Sequence, residues 1–196
     1  MRPRHPACAP GNGARSIDRQ RGIVAARELC GSIYNTSRLL AHRRIRQPTT
    51  NLERRIDFAD GSSARVYRET VVDAVSLAEP VTLAVGFRLR GVGQNEIAHA
   101  VFRRESLFNT PLFVGFPGFV SKLWLAHDGN GLYRGLYDWD GVDRAESYVR
   151  ALWWPLALVS ERESITYQVI PGITRDTAST QPELFRDEGQ WWRPRG

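Results

Sequence analysis

The segment Phe116–Trp139, FPGFVSKLWLAHDGNGLYRGLYDW, constrains the fold more than any other part of the chain. Two runs rich in large apolar side chains flank a loop containing Asp128-Gly129-Asn130-Gly131, and Pro117-Gly118 opens the first run. Turn residues between two such runs predict a β-hairpin, with strands near 119–126 and 132–139. Both faces of this hairpin carry bulky apolar groups, so both need cover. A ribbon that must be covered on two sides belongs inside a sheet.

The surrounding sequence supplies that sheet. Val81 to Leu89 alternates, with Val81, Leu83, Val85, Phe87 and Leu89 on one face. Asn95 caps a predicted helix to about Asn109, with Ile97, Val101, Phe102 and Phe108 as its apolar stripe. Asp143 is placed to cap a second helix, striped by Ala145, Tyr148, Val149, Leu152, Leu156 and Val159. Pro155 within it would cost about 3 kcal/mol in an unbroken helix, which predicts a kink or break at Trp154. Ser164 to Ile170 forms the last strand, ended by Pro171-Gly172. The order β-α-β, β-α-β with right-handed crossovers gives an α+β fold, a ferredoxin-like βαββαβ antiparallel sheet with helices on one face.

Strand alternation assigns the two faces. Beneath the helices it predicts Leu83, Val85 and Phe87; Leu123 and Leu125; Tyr133, Tyr137 and Trp139; Ile165, Tyr167 and Val169. The opposite face then carries Thr82, Ala84, Gly86 and Arg88; Val120, Lys122, Trp124 and Ala126; Leu132, Arg134, Leu136 and Asp138; Thr166, Gln168 and Ile170. Bare, that second face would expose roughly several hundred Å2 of apolar surface, more than monomers usually leave open. Its burial is worth about several kcal/mol. The simplest cover is the same face of a second copy, which predicts a homodimer closing around a shared interior.

Charge divides the chain. Residues 1–56 hold 12 Arg and 3 acidic residues, a balance of +9, while residues 57–196 hold 15 basic and 18 acidic, a balance of −3. The overall +6 therefore comes from the N-terminal quarter, and a nucleic-acid role for the folded part loses its support. Residues 1–53 are expected to be a disordered basic extension, in which IVAAREL and IYNTSRLLAHRRI form at most short helices. Residues 54–79 are a hairpin lead-in turning at Asp60-Gly61, residues 80–172 the ferredoxin-like domain, and residues 173–196 a flexible tail whose Trp191 and Trp192 dock on a neighbour. No apolar run reaches the roughly 18–20 residues of a membrane span, and the first residues lack the apolar stretch of a secretion signal. The expectation is a soluble, cytoplasmic protein. Cys8 and Cys30 have no zinc-type spacing, and no phosphate loop, nucleophile elbow or HExxH pattern is present. His99, on the predicted first helix, suits a heme ligand or, more simply, a helix surface.

FPGFVSKLWL, GLYRGLYDWDG, the amphipathic helix and ITYQVIPG together resemble the dimeric α+β barrel superfamily, and within it YdhR-type and antibiotic-biosynthesis-monooxygenase-like proteins. The resemblance covers roughly residues 80–172. It implies a small, largely apolar ligand and a cofactor-independent monooxygenase-like activity; the alternative is a non-catalytic binding or assembly module with a closed interior. No cofactor or metal is expected. If the hairpin loop centres near Gly129, Trp124 lies opposite Arg134 and Lys122 opposite Leu136, with Asp138 beyond. The predicted cavity is then lined by Lys122, Arg134 and Asp138 as catalytic candidates and by Trp124, Arg88, Thr82 and Gln168 as ligand-binding candidates. A desolvated Lys122 serves as a base with a lowered pKa. The plainer reading of these charges is ion pairs that satisfy polarity at a dimer interface.

Overall fold

In the computed structural model the described residues are 12–73, 75, 77–91, 102, 113–181, 184 and 191–195, with side chains in the first helix described from Val24. The predicted helix 95–109, His99 included, lies outside them except for a helical Phe102. The elements are α1 (Asn12–Ala41), β1 (Ile45–Arg46), β2 (Arg55–Asp57), β3 (Ser63–Val72), β4 (Pro80–Arg88), β5 (Phe119–Leu125), β6 (Leu132–Asp140), α2 (Val142–Val159), β7 (Thr166–Pro171) and α3 (Arg175–Thr180).

The sheet runs β1-β3-β5-β6-β4-β7, every pairing antiparallel, with β2 hung on β3. Within it β5-β6-β4-β7 has the ferredoxin-like order, in which the first strand of the unit sits between the third and the fourth. The lead-in hairpin joins this sheet: β3 pairs with β5 along its free edge. An edge strand left open is a site for unwanted pairing, and β3 removes that opportunity.

Three of the four predicted strands face as expected, and β5 does not. Leu83, Val85, Tyr137, Trp139 and Val169 pack under α2 together with Ala145, Tyr148, Ala151, Leu152 and Leu156. Trp124 joins them, while Leu123 and Leu125 point to the other side. The cause is a bulge. Phe119 pairs with Trp139, but Ser121 pairs with Asp138, so Val120 is an extra residue. One added residue moves every later side chain to the opposite face. Trp124 therefore lies opposite Gly135, and Lys122 opposite Tyr137, each one position from the expected register.

The opposite face is covered by the chain itself. Ala84, Leu123, Leu125, Leu136 and Ile170 pack against Ile56, Phe58, Ala64 and Val66 of the lead-in hairpin and against Ala178 and Trp192 of the C-terminal segment. The expected loose tail is thus a strap. Thr174 caps α3, accepting from the amide of Thr177 at 3.2 Å. Arg195 donates to the Asp57 carbonyl and Ala59 to that of Arg193, which fastens the strap to the hairpin. Trp191 fills the space left by Gly86: a Cβ there would stand 2.7 Å from its ring. The bare apolar face that motivated a second copy is not bare, and one short helix, α3, lies on this side of the sheet.

The basic segment also departs from expectation, since it forms α1. Its buried positions are Ala25, Ser32 and Thr36, with Leu29 and Leu39 half-buried. These recur at helical spacing, but small polar residues make the stripe nearly invisible to hydropathy. Polar bonds fix its seat: Asn35 Nδ2 donates to the Gly115 carbonyl at 3.1 Å, and Ser147 Oγ of α2 donates to Glu28 at 2.9 Å. Helix α2 starts at Gly141 without a side-chain cap, so Asp143 sits in its first turn, and it continues through Pro155 to Val159. The predicted break at Trp154 is absent, because proline removes one amide bond while Leu152 and Leu156 stay anchored in the core.

Trp192 is fully buried between hairpin and sheet. Trp192→Ala is expected to lower unfolding free energy by about 3–5 kcal/mol, measured by urea denaturation; a change near zero would mean that the strap does not seal this face.

Candidate functional site

On the helix side of the sheet lies a cavity of about 270 Å3. Its walls are aromatic and aliphatic: Tyr67, Phe87, Phe102, Phe113, Tyr133, Tyr137, Tyr148, Leu152 and Leu156, with Lys122 and Trp124 at the sheet. Leu158 and Val159, at the exposed end of α2, form part of its rim. The second bulge in the sheet, between Val66 and Arg68, adds a further group: Arg68 stands directly opposite Trp124.

Two cations share one indole. Lys122 Nζ lies 3.1 Å from the centroid of the Trp124 ring and 4.6 Å from that of Tyr137. The Arg68 guanidinium carbon lies 3.7 Å from the Trp124 centroid. Trp124 is held by a 3.0 Å bond from Nε1 to Thr70 Oγ1. Gly135, facing Trp124, leaves room for the lysine stem; a Cβ there would stand 2.8 Å from Tyr137 and 3.1 Å from Lys122 Cε.

Burial dominates the electrostatics. Lys122 is 6% exposed and has no carboxylate partner among the described residues. Desolvation, reinforced by the nearby Arg68 charge, holds its pKa well below the ordinary lysine value. Desolvation also brings Arg68 down to about 10, opposed by Tyr67 and Tyr137. Burial pushes the phenols of Tyr137 and Tyr148 up, so both stay protonated. The pocket therefore combines an apolar wall, phenol donors and the desolvated amine of Lys122, with the Arg68 guanidinium at the Trp124 ring. Such a site favours a flat molecule with an anionic oxygen.

The sequence-predicted residues split across the sheet. Lys122 and Trp124 come together in the cavity. Arg134, Asp138, Thr82 and Gln168 belong to the other face, and Arg88 to the far end of β4. Arg134 is a clamp: its side chain bonds Asp128 at 2.7 Å, Ser62 at 2.7 Å, Asp60 at 3.2 Å and the Trp191 carbonyl at 2.8 Å, and stacks on Phe58. Burial alone would raise the Asp128 pKa, but the amides of Leu132 and Asn130 and the Arg134 guanidinium hold it below the ordinary value. Asp138 accepts from Ser121 Oγ at 2.6 Å and from the Arg175 amide at 2.7 Å, and Arg175 also pairs with buried Glu69. Thr82 bonds the Ile173 carbonyl, and Arg88 the Asn130 carbonyl. Gln168 pairs with Ala84 in the β4–β7 ladder. Asp138, Thr82, Arg88 and Gln168 are not among the residues lining the cavity with Lys122, whereas Arg134 contributes to its lining while its guanidinium is engaged by the strap, hairpin and turn. Tyr148, by contrast, lines the cavity, and Arg68 and Thr70 contact the Trp124 side chain without being among the lining residues; alternation singled out none of the three for the site, and only the bulge reveals Arg68.

Among the described residues no group of His, Cys, Asp and Glu could hold a metal ion, and no helix is long and apolar enough to cross a membrane.

Lys122→Met is expected to be more stable than the native chain at pH 7. In the native protein the unfolded lysine holds its proton up to about 10.5 while the folded one releases it earlier. Stability of the native chain thus rises with pH in that window, by at most about 1.4 kcal/mol per pH unit. The gap between the two proteins narrows from pH 7 to 9.5; a constant gap would mean a solvated ammonium. Arg134→Ala, which strands buried Asp128, is expected to cost about 3–5 kcal/mol in denaturant titration. A loss below 1 kcal/mol would remove Arg134 from its clamp role.

No protein-family model matches the sequence, and no curated protein matches it. Among solved structures, the chain is similar to a major regulator of staphylococcal pathogenesis, at 16% identity over 58% of this chain and 69% of that one, with a TM-score of 0.41. It is similar to a monooxygenase-like protein from Listeria innocua, at 13% identity over 58% and 67%, with a TM-score of 0.38. A third likeness is to an uncharacterised ferredoxin-fold protein related to antibiotic biosynthesis monooxygenases from Listeria monocytogenes, at 14% identity over 57% and 64%, with a TM-score of 0.32. By its own strand order and pairing, the chain is an α+β protein of ferredoxin-like fold.

Proposed function

We propose that this protein binds a small aromatic acid or phenol in the cavity beneath α2, within a pocket completed by one chain. The observation that carries this reading is the Lys122 amine, buried against Trp124 beside Arg68 with no acidic partner among the described residues. A charge so placed is costly until an anion joins it. The aromatic walls supply the apolar contact that a ring requires, and Lys122 with Arg68 supplies the countercharge. An anion held there makes charge-assisted bonds in a dry site, where they are strongest.

The same arrangement supports a cofactor-independent, monooxygenase-like reaction. Neutral Lys122 acts as the base on a C–H flanked by aromatic rings, and Arg68 stabilises the enolate-like anion. That carbanion reduces dioxygen, giving R2CH2 + O2 → R2C=O + H2O. The sheet face expected to line a barrel interior is packed by the chain's own hairpin and C-terminal residues, so the binding reading rests on the cavity beneath α2.

Titration with 2-naphthoate, followed by tryptophan fluorescence, tests the binding reading. Native protein is expected to saturate, and Lys122→Met and Trp124→Ala each to weaken binding at least about tenfold. Equal affinity in all three proteins would exclude this cavity. Oxygen uptake with an anthrone tests the reaction: uptake in native protein lost in Lys122→Met supports it, and uptake no greater than in heat-treated protein leaves a binding protein only.

A further inference from the structure

Tyr137 and Tyr148 both line the cavity and both are buried, at 2% and 0% exposure. Tyr148 donates its hydroxyl proton to the Tyr137 oxygen at 3.1 Å. The pair holds two O–H donors and uses one internally. The Tyr137 proton is left without an acceptor among the described residues. Its place is fixed: Tyr137 is the cross-strand neighbour of Lys122, whose Nζ lies 4.6 Å from its ring centroid. Tyr148 is braced in turn by edge contacts from Phe113 and Phe116 and by Trp139.

A buried donor with no acceptor is unfavourable, and an acceptor delivered by a ligand relieves it. A site built to meet an oxygen discriminates against molecules that lack one far more strongly than an apolar wall does. The two donor groups also differ in kind. Lys122 meets a charge, whereas the phenol, which stays protonated, meets a neutral oxygen such as a carbonyl or ring hydroxyl.

We infer that Tyr137 is a specificity-determining residue: oriented by Tyr148, it donates to a ring hydroxyl or carbonyl oxygen, so the pocket selects aromatic acids carrying a second, neutral oxygen. This deepens the binding reading above and rests on it.

The test compares 2-naphthoate with 6-hydroxy-2-naphthoate and with 6-acetyl-2-naphthoate on the full-length chain, by calorimetry. In the native protein at least one oxygenated probe is expected to bind about tenfold more tightly than 2-naphthoate. In Tyr137→Phe that preference, read as the ratio of affinities within the variant, falls to within about twofold, and a native-like urea unfolding curve reports that the variant is folded. In Tyr148→Phe the preference persists in part, because Tyr137 retains its own proton. No preference in the native protein, or a preference undiminished in Tyr137→Phe, overturns the inference while leaving the binding reading intact. Failure of native protein to bind any of the three probes overturns both.

Discussion

Two bulges decide what this sheet presents to its helices. At Val120 and between Val66 and Arg68, one extra residue reverses the alternation of the strand beyond it. Lys122 and Trp124 from β5 and Arg68 from β3 are thereby aimed at the layer beneath α2. With regular strands, all three would point toward the strap side. A bulge leaves a residue unpaired and bends its strand, a local cost offset here by the packing that the new register allows. Trp124 gains a core position and a hydrogen bond to Thr70. Lys122 gains no carboxylate partner among the described residues, which is why it stands out as chemistry rather than packing.

The other side of the sheet is closed by parts remote in sequence. The β2–β3 hairpin and Ile173, Ala178, Trp191 and Trp192 meet over Ala84, Leu136 and Ile170, and buried charges lock them in register. Arg134 ties the hairpin turn at Asp60 and Ser62 to the β5–β6 loop at Asp128 and to the strap at Trp191. Arg175 ties the strap to β6 through Asp138 and to β3 through Glu69. Buried pairs of this kind add little net stability compared with apolar packing, but a wrong alignment would leave charges stranded. They therefore select one seating of the strap. An apolar sheet face needs cover, and a chain that carries its own cover has no need of a second copy for that purpose.

Much of the ferredoxin-like core was legible because its signals are local. Alternation from Val81 to Phe87, the turn at Asp128–Gly131 and the stripe from Ala145 to Leu156 each lie within one element. What local signals do not carry is of three kinds. A bulge has no compositional mark: Phe119-Val120-Ser121 reads as regular strand, so alternation assigns Lys122 to the opposite face and spreads the predicted residues over both sides of the sheet. Long-range cover has none either. Trp191 and Trp192 are conspicuous, but only the tertiary contact shows that they fit over Gly86 and the Phe58 region. α1 escaped notice for a third reason, since Ser32 and Thr36 make a seat of small size rather than of hydropathy.

The pocket joins these threads through the protonation of one amine. Attraction between an ammonium and an indole is worth about 2 kcal/mol when desolvated, well short of the several kcal/mol that burial of an unpaired ion costs. Lys122 therefore favours the neutral amine in the empty pocket, and Arg68 at the same ring favours it further. An acid entering this cavity changes the balance, because its anion supplies the missing countercharge. Under the proposed binding, the lysine takes up a proton as an anionic ligand seats, and affinity becomes coupled to pH. Under the proposed reaction, an amine that is neutral while the site is empty is suited to take the proton of a weakly acidic C–H or O–H from a ligand that enters uncharged, becoming the ammonium that pairs with the anion so formed. Binding and proton transfer then draw on the same physical cause, the exclusion of water from Lys122 by Trp124, Tyr137 and Phe113.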